Sequence, residues 1–232
     1  MSRRHKLVWL SDAGWQAAME NAGAGAPLIH RDALDQWRRA DWPAVVRRTD
    51  ADAADHEVCL GIALPPHPND GSKMRIAFRA ARSEVKKILD PIRIGVAVAI
   101  AAAPEAWRAN LAALDAEAER QRLSIRVYGS LALQALTGQC YVTPASDIDL
   151  LFYPATVAQL EAGIALLAAY RNVLPLDGEI VFPSGQAVAW AEWWNAMQAA
   201  AIPRVLVKDN NAVHLSTMAE LLHSLEQAAC AH

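Results

Sequence analysis

The chain has 232 residues, room for one large domain or two small ones with buried cores. Hydrophobic residues make up 53% and charged residues 20%, which excludes a disordered chain and suits a globular one. The net charge of −3 is split: residues 1–87 hold 14 Lys and Arg against 11 Asp and Glu, and residues 88–232 hold 8 against 14.

A basic front and an acidic rear suit a site in which cations hold phosphates and carboxylates hold metal, although small imbalances between domains are also common. The first fifteen residues are positively charged but lack an apolar stretch long enough for a secretory signal. The longest apolar run, residues 94–104, is broken by Gly95 and too short to span a bilayer. Cys59, Cys140 and Cys230 show no metal-ligand spacing, so they are expected to be buried thiols in a reducing cytoplasm.

In chain order, residues 7–10 read as a strand, and Ser11-Asp12 as a helix start. Residues 21–27 form a Gly/Ala/Pro loop, 31–40 a helix, 43–48 a strand, 49–57 a loop and 58–64 a strand. After a Pro- and Gly-rich turn, residues 73–79 alternate cleanly, with Met74, Ile76 and Phe78 on one side and Lys73, Arg75 and Arg79 on the other. The domain boundary falls in 83–90, giving a basic N-terminal domain (1–87) and a second domain (88–232).

Pro104 opens a helix reaching about residue 121, with Trp107, Leu111, Leu114 and Ala118 along one face. A strand at 125–128 then leads through Gly129-Ser130 to a short helix at 131–136. A strand at 147–152 and a helix at 156–170 follow. Residues 178–182 and 186–190 flank Pro183-Ser184-Gly185 as one hairpin, and 204–208 and 213–215 flank Asp209-Asn210-Asn211 as another. A last helix starts at Thr217 with Ser216 as its N-cap. The fold class is α+β, a mixed sheet with helices preceded by a smaller α+β domain.

Two short motifs carry chemistry. A strand ending in Gly129-Ser130 and opening a helix offers free backbone N–H groups to an anion, with glycine allowing close approach. Asp147 and Asp149 lie two apart on a strand and share a face, where they repel unless a cation lies between them. Such carboxylates suit Mg²⁺, one ion or two, and in-line displacement at phosphorus. A third acid comes from the next strand: Glu179, flanked by strand-forming residues, or Asp177, with Glu192 further off. Lys73, Arg75 and Lys208 are candidates for the phosphate-side cations, the alternative being a solvated strand face, for Lys73 and Arg79 more than for Arg75. The histidines form no zinc-ligand pair, and Trp190 and Trp194 either stack on an adenine or pack in the core.

The order strand, Gly-Ser, helix, Asp-x-Asp strand resembles the nucleotidyltransferase superfamily that includes DNA polymerase beta. Sixteen residues between Ser130 and Asp147 make a somewhat long connection for it, the insertion being residues 138–145. More specific strings run along nearly the whole chain. They include Arg4-His5-Lys6-Leu7-Val8-Trp9-Leu10, Arg126-Val127-Tyr128-Gly129-Ser130-Leu131-Ala132, Ser146-Asp147-Ile148-Asp149-Leu150-Leu151 and Phe182-Pro183-Ser184-Gly185. These resemble the phosphoribosyl-dephospho-CoA transferases, the holo-acyl-carrier-protein synthases of malonate decarboxylase.

The resemblance implies a donor, 2'-(5-triphosphoribosyl)-3'-dephospho-CoA, and an acceptor, a serine of the apo acyl carrier protein subunit of malonate decarboxylase. The hydroxyl attacks the phosphorus nearest the ribose and diphosphate leaves. Asp147 and Asp149 match the metal-binding pair by position, and Gly129-Ser130 the phosphate loop. Two other readings stay open: a nucleotidyltransferase with another acceptor, and a non-catalytic module that docks the carrier protein. No basic stripe interleaved with aromatics appears, which counts against RNA; neither nucleic acid nor membrane is an expected partner.

Overall fold

The computed structural model describes residues 4–21, 27–95, 97–199, 204–210 and 212–230. Part of the loop read at 21–27, and Asn211 in the second hairpin turn, lie outside the described residues. The chain forms two compact units, one of residues 1–91 with 139–141, the other of 92–138 with 142–232.

The first unit is an antiparallel sheet with two helices. Strand β1 (Leu7–Leu10) matches the sequence reading, and Ser11 caps α1 (Asp12–Asn21) by accepting from the Gly14 N–H at 3.0 Å. After α2 (Leu28–Ala40) come β2 (Ala44–Val46), β3 (Glu57–Ala63) and β4 (Arg75–Ala81). In β4 Ile76, Phe78 and Ala80 are buried, the expected alternation, but the strand begins two residues late, so Lys73 stands before it and Arg75 opens it.

A 3₁₀ turn (Arg82–Glu84) leads to β5 (Val85–Leu89), which pairs with β1 in the order β4-β3-β2-β1-β5. The sequence reading placed the domain boundary across this segment, yet β5 completes the first sheet, and the two units divide between Pro91 and Ile92. From Ala81 to Val85 the chain reaches at most about 14 Å. Four interstrand spacings would need about 19 Å, so the sheet curls. Val8 and Leu60 of the sheet and Leu34 and Trp37 of α2 are completely buried in one core, each worth about 1.5–3 kcal/mol.

The second unit is built on a seven-stranded mixed sheet. Its first elements are β6 (Ile92–Arg93), α3 (Ala97–Ala102), α4 (Glu105–Arg120), β7 (Ile125–Val127) and α5 (Gly129–Thr137). Pro104 takes the N-cap position of α4 rather than the first helical turn. Then follow β8 (Ile148–Phe152), α6 (Val157–Tyr170), β9 (Leu176–Val181) and β10 (Ala187–Ala189). Thr156 caps α6 by accepting from the Gln159 N–H. The last elements are α7 (Trp190–Met197), β11 (Arg204–Lys208), β12 (Val213–Thr217) and α8 (Met218–Cys230).

The strands lie in chain order from β6 to β12, and only β8 and β9, bridged by α6, run parallel. One face of the sheet, with Val127, Leu150, Ile180, Val188 and Val207, is sealed by helices. Both hairpins form, the first closed by the Phe182 N–H to the Gln186 carbonyl at 2.8 Å.

Two terminal features correct the sequence reading. Residue 190 starts α7 instead of ending a strand, and Trp190 and Trp193 enter the core, which removes Trp190 as a stacking surface. The cap of α8 is Thr217, not Ser216: Thr217 Oγ1 accepts from the Glu220 N–H while Glu220 accepts from the Thr217 N–H. Among the described residues no helix is long and apolar enough to cross a membrane.

Candidate active site

Strand β7 runs into α5 at a sharp turn. Tyr128 is the N-cap residue, its side chain makes no capping bond, and its N–H donates to the Asp149 carbonyl at 3.0 Å. Gly129 takes a φ of +65°, and a Cβ built there would collide with Asp149 Oδ2. Only glycine therefore fits, because the Asp149 carboxylate is seated against the turn. The Gly-Ser turn and the Asp-x-Asp strand, seventeen residues apart from Ser130 to Asp147, meet side by side. Ser130 is buried in the first turn of α5.

Asp149 is half-buried within β8, and Asp147 is exposed one residue before the strand. The parallel ladder sets Asp149 level with Asp177 and Leu151 level with Glu179. The two candidate third acids thus share the face of Asp149. Both lie inside β9. Gly178 between them has a φ of +133°, and a Cβ there would run into the Leu150 carbonyl. Close approach of the two parallel backbones demands glycine.

Glu179 is buried and accepts from Lys208 Nζ at 3.0 Å across β10, the lysine being one-third exposed. Lys208 is therefore engaged by Glu179. Among the described residues, no three Asp, Glu, His or Cys side chains converge tightly enough to enclose a metal. Lys73 and Arg75 are exposed residues of the first unit. Glu192 accepts from the Leu206 N–H at 2.7 Å and serves the β11 backbone.

The face of the sheet with Asp149 also carries Arg93 and Arg126, directly opposite one another, with Arg126 level with Leu151. The sequence reading overlooked both. The alternation in Ile125-Arg126-Val127-Tyr128 was the available signal, since it turns Arg126 and Tyr128 away from the core.

Other cations gather in the first unit, where Lys6, Arg82, Lys86 and Lys87 line a groove of about 650 Å³ with Val58, Val85 and Ile88. Of the cysteines expected to be buried, Cys59 is and Cys140 is exposed; the Cys230 side chain lies outside the described residues.

Two family profiles match the chain. Residues 3–91 match the N-terminal domain, and residues 95–219 the C-terminal domain, of phosphoribosyl-dephospho-CoA transferase MdcG. A phosphoribosyl-dephospho-CoA transferase of Xanthomonas campestris pv. campestris is 38% identical over 218 residues, 93% of this chain and 94% of the relative. The protein so named from Xanthomonas euvesicatoria pv. vesicatoria is 38% identical over 95% of this chain and 97% of its own. That from Bradyrhizobium diazoefficiens is 38% identical over 82% and 80%. No solved structure matches.

Proposed function

The chain belongs to the phosphoribosyl-dephospho-CoA transferase family and is a transferase, and from that premise we propose a nucleotidyl-type transfer at Asp147 and Asp149. The donor is 2'-(5-triphosphoribosyl)-3'-dephospho-CoA. The acceptor is a serine of the apo acyl carrier protein subunit of malonate decarboxylase, and the setting is the cytoplasm. The serine oxygen forms a bond to the phosphorus nearest the ribose as the bond to the leaving diphosphate breaks and the hydroxyl proton passes to water.

The observation carrying this proposal is the seating of the Asp149 carboxylate against Gly129, at a helix start its own N-cap side chain leaves open. Amides at that start favour phosphate oxygens. Asp147 and Asp149 offer oxygen donors only, one exposed and one half-buried. That set fits Mg²⁺, which takes one or two carboxylates and fills its shell with water and substrate phosphates. Bound there, Mg²⁺ would neutralise charge on the phosphate chain. Asp177, exposed and level with Asp149, is better disposed to join them than Glu179, which is bonded to Lys208. Arg75 and Lys73, with the cationic groove of the first unit, are proposed to receive other anionic parts of the substrates.

Incubation with Mg²⁺, donor and apo carrier protein, followed by mass spectrometry of the carrier, tests the proposal. The carrier should gain the mass of the donor less diphosphate. Asp147→Asn and Asp149→Asn should each cut the rate by at least about 100-fold without lowering the unfolding midpoint. Full activity in either variant refutes the metal–carboxylate site. A mass gain from ATP but not from the CoA-derived donor points to a nucleotidyltransferase of other specificity. Tight carrier binding without mass change points to a docking module.

A further inference from the structure

Arg126 and Arg93 take no part in the transfer as described so far. Paired residues of an antiparallel ladder project to the same side, so both arginines share a face with Asp149, Asp177 and Glu179. Arg126 is half-buried. Its neighbours on that face are Tyr128, two residues on, and Leu151 across the ladder. Leu151 is fully buried with Val181 and Ala187, and Tyr128 and Tyr153 pack against that cluster. A guanidinium rising from an apolar and aromatic floor interacts with anions more strongly than one in open water.

The two arginines keep different company. Arg93 is exposed on β6, at the sheet edge, and its charge is felt by Asp115 of α4. Burial pushes the Asp115 carboxyl up and Glu119 adds to that, while the Gly95 N–H and Arg93 pull it down. Arg126 lies one strand inward, diagonal to Asp149, a separation of about 7–8 Å between backbones that an arginine side chain covers. It flanks β8 on the side opposite Asp177.

We infer that Arg126 is a substrate-binding residue whose planar guanidinium grips two oxygens of the donor's phosphate chain beside Asp149. A rigid fork of donors matches phosphate in a way that an ammonium does not. The inference rests on the proposed transfer, and the experiment separates the two.

Inorganic diphosphate with Mg²⁺ is the probe, titrated calorimetrically into the wild type, Arg126→Met, Arg126→Lys and Arg93→Met. Arg126→Met should weaken binding by roughly 10–100-fold, the range for losing hydrogen bonds to a charged group. Arg126→Lys should recover part of it, and Arg93→Met should change it less than about twofold, as for an exposed charge.

In the carrier assay Arg126→Met should raise the donor KM more than it lowers kcat, with the unfolding midpoint held. A merely structural role would lower the midpoint and spare KM. Unchanged diphosphate affinity and donor KM in folded Arg126→Met overturn the inference, as does a wild type that binds no diphosphate. If Arg126→Met does not fold, Arg126→Lys decides the matter through donor KM. Full transfer by Asp149→Asn would sink the proposed reaction while leaving the diphosphate titration to judge Arg126 by itself.

Discussion

Both units carry charged side chains on a sheet, and they treat them differently. In the first, Asp50 receives Arg47 and Arg79, Arg79 also holds Asp52, and Glu57 lies 3.7 Å from Arg79. Arginine and carboxylate close on one another and tie β2, β3, β4 and the 49–57 loop together. In the second, Asp149 is pressed against a glycine at a helix start, and Asp177 stands level with it, exposed. A closed network stabilises the fold, whereas carboxylates gathered at a helix start suit a cation and a phosphate. Glu179 on the second sheet is held by Lys208.

The sharpest way to break this contrast is at Gly178, whose missing side chain lets β8 and β9 bring Asp149 and Asp177 level. Gly178→Ala puts a methyl into the Leu150 carbonyl at a φ of +133°. The expected loss is at least about 4 kcal/mol, the range for backbone strain joined to a core collision. Urea unfolding measures it. A loss under about 1 kcal/mol, that of an ordinary surface change, would mean the strands need not approach so closely.

Next in size is the Glu179–Lys208 pair. Lys208→Met strands a buried carboxylate and should cost about 2–3 kcal/mol near neutral pH, below the full value for a buried pair because Lys208 is one-third exposed. Urea unfolding of the two proteins measures the difference. No deficit would mean that the Lys208–Glu179 pair contributes nothing to the fold.

Local pattern made part of this legible. The alternation of β1 and β4, and the strand–Gly-Ser–helix–Asp-x-Asp order, depend on neighbours in sequence, and they place Gly129 with Asp149. What escaped depends on partners far along the chain. β5 is a strand because β1, some seventy-five residues earlier, offers it an edge. Whether Asp177 or Glu179 faces Asp149 is fixed by the parallel register of β8 and β9, which no short motif records. Arg126 went unnoticed for the same reason, since its neighbours arrive from β6 and β8. At residue 190 the apolar string read as strand was the first turn of α7, a choice that burial of Trp190 and Trp193 decides.

The smallest effect tests the closed side of the contrast. Hydrogen bonds from Arg47, and then from Arg79, hold the Asp50 carboxyl well below the usual carboxylate range. A depressed folded pKa means that the stabilisation is fully present above the unfolded value of about 3.9, and is lost as pH falls through the folded value. Asp50→Asn should therefore cost about 1–2 kcal/mol at pH 7, the scale of charged hydrogen bonds partly open to solvent. The gap from wild type should narrow below pH 4. Diphosphate affinity should stay within about twofold, because a network closed on itself leaves its arginines no call on the ligand. If affinity rises instead, freeing Arg47 and Arg79 has recruited them to the anion, and the first unit's charges are held in reserve for substrate.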